Sequence, residues 1–181
     1  LQETETNYET DLFMPIMHKI EEICNIPYNG QMQFKVIADH IRTLTFALSD
    51  GAVFENVGRG YVLRRLLRRA SRMGRKLNIN KEFLSPLVDV VVDNYKEIYP
   101  ELVGTMPKVK ELISKEELLF QKTLLSGEKK LEELFKNKNK VISGKDAFKL
   151  YDTYGYPIEL TEEAAMEKGF TVDKEEFKAY M

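Results

Sequence analysis

Three features of the sequence predict an all-α fold: a multi-helix, bundle-like domain in which any β-structure is marginal. Apolar residues recur at helical spacing through most of the 181 positions. Capping residues and glycines fall where that period starts and stops. One segment, GYVLRRLLRRASRMGRK, sorts its charge onto one side of a helical wheel.

The elements follow in order. DLFMPIMHKIEEIC places Leu12, Ile16, Ile20 and Ile23 on one stripe, with Thr10 or Asp11 to cap it and Pro15 in the first turn. IPYNG reads as a turn. FKVIADHIRTLTFALSDG carries Phe34, Ile37, Ala38, Ile41, Leu44, Thr45 and Leu48 on one face and stops at Gly51. A short link through Asn56 leads into the arginine-rich helix. LVDVVV suits a strand by propensity, but Phe83, Leu87, Val90, Val91 and Tyr95 fit a helical stripe, so a helix is expected. TMPKVKELISKEELLFQKTLLSGEKKLEELF reads as one long helix that Gly127 could bend, ended by KNKNK. Three shorter helical pieces complete the chain. Asp152 to Pro157 is read as a tight turn, Thr161 as a helix start, Gly169 as its end, and Asp173 with Glu176 as a capping box.

Composition narrows the function. Hydrophobic residues at 43% and charged residues at 31% describe an ordinary globular chain. A single Cys24 excludes an internal disulfide and a multi-cysteine zinc site, and suits a reducing, intracellular setting. No apolar run approaches the roughly 18 residues that a membrane helix needs. The opening LQETETNYET is polar and has neither a basic start nor an initiator Met, so a fragment of a longer protein is expected.

Catalytic chemistry is hard to assemble from these residues. Only His18 and His40 are present. His18 falls on an exposed helical position. His40 has Val36 and Leu44 at helical spacing rather than a second metal ligand, so a structural hydrogen bond is expected there. Cys24 lies on the apolar side of its helix, as a packed thiol. The acid pairs Glu116–Glu117 and Glu132–Glu133 read as solvated faces. GRG at 58–60 is too short for a phosphate loop.

The basic segment is the unusual feature. The chain carries a net charge of −2, yet Arg59, Arg64, Arg65, Arg68, Arg69, Arg72, Arg75 and Lys76 fall together without one acid among them. All but Arg59 share an arc of about 140° on a helical wheel. Val62, Leu63, Leu66, Leu67, Ala70, Met73 and Leu77 fill the opposite arc. Like charges at i,i+4 repel by a few tenths of a kcal/mol each. An external anion would offset that cost, and the planar guanidinium fork matches phosphate. The alternative is neutralisation by acids of the 111–133 helix. Arginines can position a nucleic acid without selecting one. Selection needs short polar side chains, and Asn56, just before the helix, and Asp152, in YDTYGYP, are the candidates. Asp152 could accept from an exposed base amino group, or could simply close its turn.

FKVIADHIRTLTFALSDGAVFENVGRGYVLRRLLRRASRMGRKL resembles the alanyl-tRNA synthetase family. So does LYDTYGYPIELT, about 75 residues later, and so does NYETDLFMPIMHKIEEI near the start. The resemblance covers nearly the whole chain. It departs from the family's common form at FEN, where PSN is frequent, and at Tyr156, where Phe is common.

The resemblance implies a helical tRNA-recognition domain that follows a class II catalytic core. It divides the chain into 1–140, the recognition domain, and 141–181, a small helical subdomain packed on it and carrying LYDTYGYP. The implied partners are the tRNA(Ala) acceptor stem and the catalytic and editing domains of the same chain, without a membrane, in the cytoplasm. Asn56 and Asp152 would read a G·U pair. Arg59, Arg64, Arg65, Arg68, Arg69 and Arg72 would hold the backbone. The full-length enzyme implies ATP, magnesium and an editing-domain zinc. This stretch is expected to carry no cofactor, metal or catalytic residue. A protein-interaction module, docking the same arginines on an acidic surface of a neighbouring domain, is the alternative.

Overall fold

A computed structural model describes Tyr8 and residues 10–181. The rest of the polar opening therefore lies outside the described residues. The described residues form eight helices and two strands of two residues each, the all-α architecture that the periodicity predicts. Two compact units are present, Leu1–Leu118 and Leu119–Met181. Their boundary falls inside the long helix, earlier than the division after residue 140 that the resemblance implies. The reason is packing: Phe120, Leu124, Leu131 and Leu134 of that helix belong to the C-terminal core.

The first unit contains α1 (Met14–Cys24), α2 (Met32–Ser49), α3 (Gly58–Lys76), α4 (Leu84–Tyr95) and the start of α5 (Glu101–Leu134). α1 begins at Phe13 rather than at a Thr10 or Asp11 side-chain cap; the Thr10 carbonyl accepts from Phe13 and Met14 instead. Pro15 fits because the first turn has no use for its missing N–H. Leu12 is exposed, whereas Ile16, Met17 and Ile20 are buried. Every predicted core residue of α2 is buried. α2 packs along α3 and α4. LVDVVV is helical, as its stripe requires, with Val90 half-buried and Val88 and Val92 completing the core. Burial of such side chains contributes about 1.5–3 kcal/mol each relative to exposure.

No side chain of α4 itself caps that helix. Glu117 of α5 does so, accepting from Phe83 N–H at 3.1 Å and Leu84 N–H at 3.0 Å. It is fully buried. Burial pushes its carboxyl up to about 8, against the pull of those two hydrogen bonds.

The second unit contains the end of α5, β1 (Val141–Ile142), α6 (Gly144–Tyr154), α7 (Ile158–Glu167), β2 (Thr171–Val172) and α8 (Lys174–Tyr180). β1 and β2 pair in parallel, Val141 opposite Thr171. Gly127 lies within an uninterrupted α5. A Cβ there would stand 2.4 Å from the Tyr156 ring, so the glycine admits close packing. Ser143 caps α6 and Asp173 caps α8. Glu176 does not close the expected capping box; its carboxylate accepts instead from Gly144 N–H at 2.6 Å. α7 starts at Ile158 behind Pro157, three residues before Thr161, which is buried inside it.

Candidate nucleic-acid interface

α3 begins at an extended Val57, and the loop before it leaves Asn56 exposed. Arg64 lies two turns along and reaches back to donate from Nη1 to Asn56 Oδ1. The same guanidinium grips Glu116 of α5 twice, Nε to Oε1 at 2.6 Å and Nη2 to Oε2 at 3.3 Å. Glu116 also accepts from Arg68 Nη2 at 3.1 Å. One carboxylate thus serves two arginines, and one arginine joins that carboxylate to Asn56.

This arrangement divides the cationic arc. Arg68 and Arg72, at its centre, are 8% and 5% exposed. Arg64, Arg65 and Arg69 are half-buried, and Arg59 is exposed. Arg69 Nη1 meets His40 Nε2 at 3.2 Å, while His40 Nδ1 lies 3.2 Å from Asp39 Oδ2. Guanidinium only donates, so His40 Nε2 accepts, which is the structural role expected of this histidine. Arg75 donates to Asn80 Oδ1. Val62, placed on the apolar arc by the wheel, is 40% exposed. The solvent face of α3 is therefore rotated away from the centre of its arginines, because α5 covers part of them.

Glu116 and Glu117 differ from the solvated pair that the sequence suggests: both are buried. A signal was present. Val109, Ile113, Phe120 and Leu124 form a helical stripe, and 116 and 117 fall in its gap. A carboxylate on an apolar stripe is one that needs partners.

Arg59 lines a shallow cleft with Arg42, Phe46, Tyr95 and Tyr99. His18 is exposed and bonds Glu21. Cys24 is half-buried against the first core.

Asp152 lies in the second unit and is exposed. It sits in the last turns of α6 rather than in a tight turn. The chain turns after it, at Gly155, which is left-handed at φ 71° and donates to the Leu150 carbonyl, as does Tyr156 N–H. The Asp152 carboxylate makes no hydrogen bond or ion pair among the described residues, so it does not close the turn. Tyr156 anchors this end of the helix, donating to Glu128 Oε1 at 2.7 Å.

No helix among the described residues is long and apolar enough to cross a membrane. Comparison with known proteins gives a consistent result. The chain is 54% identical over 173 residues to the alanine–tRNA ligase of Acholeplasma laidlawii, covering 96% of this chain and 20% of that protein. It is 52% identical over 190 residues to the alanine–tRNA ligase of Bacillus thuringiensis subsp. konkukian, with 100% and 22% covered. It is 52% identical over 187 residues to that of Staphylococcus aureus strain JH9, with 99% and 21% covered. The chain thus spans about a fifth of the length of these relatives. The family model described as "tRNA synthetases class II (A)" matches residues 1–181. The chain therefore belongs to the class II (A) tRNA synthetases.

Proposed function

We propose that this chain is the acceptor-stem recognition part of an alanine–tRNA ligase. The carrying observation is likeness over essentially the whole chain to proteins named alanine–tRNA ligase, at 52–54% identity. In this reading Asn56 and Asp152 select a G·U pair in the stem of tRNA(Ala). Both side chains are exposed, and neither is consumed by the fold: Asn56 gives its oxygen to Arg64, and Asp152 keeps its acceptors. Arg59, the exposed member of the arginine set, is the one most able to meet phosphate, and Arg65 and Arg69 are half-buried. Arg64 and Arg68 act mainly through Glu116, and Arg72 is too buried to reach a backbone without rearrangement.

The complete ligase would attach alanine with ATP and magnesium through an aminoacyl-adenylate, and would carry zinc in its editing domain. The present stretch would supply recognition and not chemistry. The test is binding of tRNA(Ala) against a variant whose G·U pair is made G·C, at one fixed, moderate salt concentration. The expected result is weaker binding of the G·C form, and loss of that difference in Asn56→Ala. Equal affinity of the unaltered chain for both RNAs would sink the selection claim.

The exposed Arg59 would equally serve a second reading, a module that docks on an acidic surface of a neighbouring domain. A filter-binding titration with any tRNA separates the two, because such a module would retain none.

A further inference from the structure

We infer that the Glu116–Arg64 pair is a positioning device that fixes Asn56 with its amide N–H groups turned outward, so that position 56 reads a hydrogen-bond acceptor. The inference rests on the reading of Asn56 as a selector and adds which chemical group it selects and what holds it. The geometry runs in one direction. Glu116 is buried at 5% exposure and fixed on α5. It holds Arg64 by two parallel bonds, which sets the plane of the guanidinium. The remaining Nη1 points to Asn56.

An arginine can only donate, so the side-chain oxygen of Asn56 must face it. The amide nitrogen, with two N–H groups, then faces away, on an exposed residue. A freely rotating asparagine would offer donor and acceptor alike. This one offers donors. In the shallow groove of an RNA helix its targets are purine N3, pyrimidine O2 and the ribose 2′-oxygen. Arg64 thereby leaves the group of phosphate holders and becomes a positioning residue, with Glu116 behind it.

The experiment titrates the 181-residue chain with two synthetic acceptor-stem hairpins, one with the G·U pair and one with G·C, and reads the ratio of affinities. The ratio is unaffected by a misfolded fraction, which weakens both hairpins alike. A good base contact is worth about 1–3 kcal/mol, or roughly 5- to 150-fold in that ratio. Arg64→Lys keeps the charge and leaves the Glu116–Arg68 pair in place, but loses the fork that spans Glu116 and Asn56. Its ratio should fall to that of Asn56→Ala. Glu116→Gln should fall in the same direction, and Asn56→Asp, which presents acceptors, should fall at least as far as Asn56→Ala. If Asn56→Ala removes the preference while Arg64→Lys and Glu116→Gln both keep it, the positioning device is overturned and the reading of Asn56 stands. If Asn56→Ala keeps the preference, the reading of Asn56 fails and this inference with it.

Discussion

The two proposed readers are held in opposite ways. Asn56 sits in a loop, and its side chain is tied down by Arg64, itself tied to the buried Glu116. Asp152 sits in a helix, and its side chain is tied to nothing among the described residues. Around Asn56 the backbone is irregular and side-chain chemistry supplies the order. Around Asp152 the backbone supplies the order, through a left-handed Gly155 and a buried Tyr156, and the carboxylate is left to rotate. A loop residue that reads must be oriented by a neighbour, whereas a helical residue inherits its direction from the helix.

The largest effect should come from removing the acid that orders the first region. Glu116→Ala takes from Arg68, 8% exposed, its bond to the Glu116 carboxylate, and it also releases Arg64. Removing one partner of a buried ion pair typically costs about 3–5 kcal/mol. A chemical-denaturation midpoint should fall accordingly. A change within the range of an ordinary surface substitution would show that the pair does not order this region.

Next is the packing that orders the second region. Gly127→Ala would push a methyl group into the Tyr156 ring, which it would meet at 2.4 Å. Overpacking of this kind costs about 1–3 kcal/mol. It should also shift the amide resonances of 150–157, since Tyr156 N–H bonds the Leu150 carbonyl. Unmoved resonances would separate the helix end from its supposed anchor.

Glu117 sharpens the comparison from inside the first region, because it neighbours Glu116 but caps a helix instead of binding arginines. Its folded value is raised from 4.5 to about 8. Between those values the folded chain holds a proton that the unfolded chain releases, so this group makes stability fall as pH rises through that window. Glu82 is the charged neighbour that adds to the upward shift. Thermal melts of Glu117→Gln should show a flatter decline over the same pH range, since a neutral amide oxygen still accepts from Phe83 and Leu84. An identical pH profile in the variant would assign the decline to other groups.

Most of the helices were legible because their periodicity is local: the α2 stripe is buried throughout, and LVDVVV is helical against its propensity. Helix starts were less legible. Thr10 and Thr161 carry the right chemistry for caps, but Phe13 and Pro157 occupy those places because backbone groups and a proline already satisfy the first turn. The arginines were legible as a set and not as individuals. A wheel shows which residues share a face of α3, but only tertiary packing decides that Arg68 and Arg72 are buried while Arg59 is not. The apolar stripe marks Glu116 as buried, but its partners were hidden for the same reason, since they lie 48 and 52 positions away.

The smallest effect on the fold belongs to Asp152. Its side chain is exposed and makes no bond among the described residues, so Asp152→Ala should move stability by no more than about 0.5 kcal/mol. Its proposed work lies elsewhere. A carboxylate facing RNA is repelled by phosphate and is useful only where a base exposes an amino group. Asp152→Ala should therefore narrow the gap between the G·U and G·C hairpins without altering the melt. Asp152→Asn keeps one acceptor oxygen but adds two donors and loses the charge, so it should recover the gap in part. The order expected for the affinity ratio is unaltered chain, then Asn, then Ala. If Asn and Ala are equally poor, the charge matters more than the acceptor. If all three are equal, the freedom of this side chain is that of an ordinary surface residue and Asn56 reads alone.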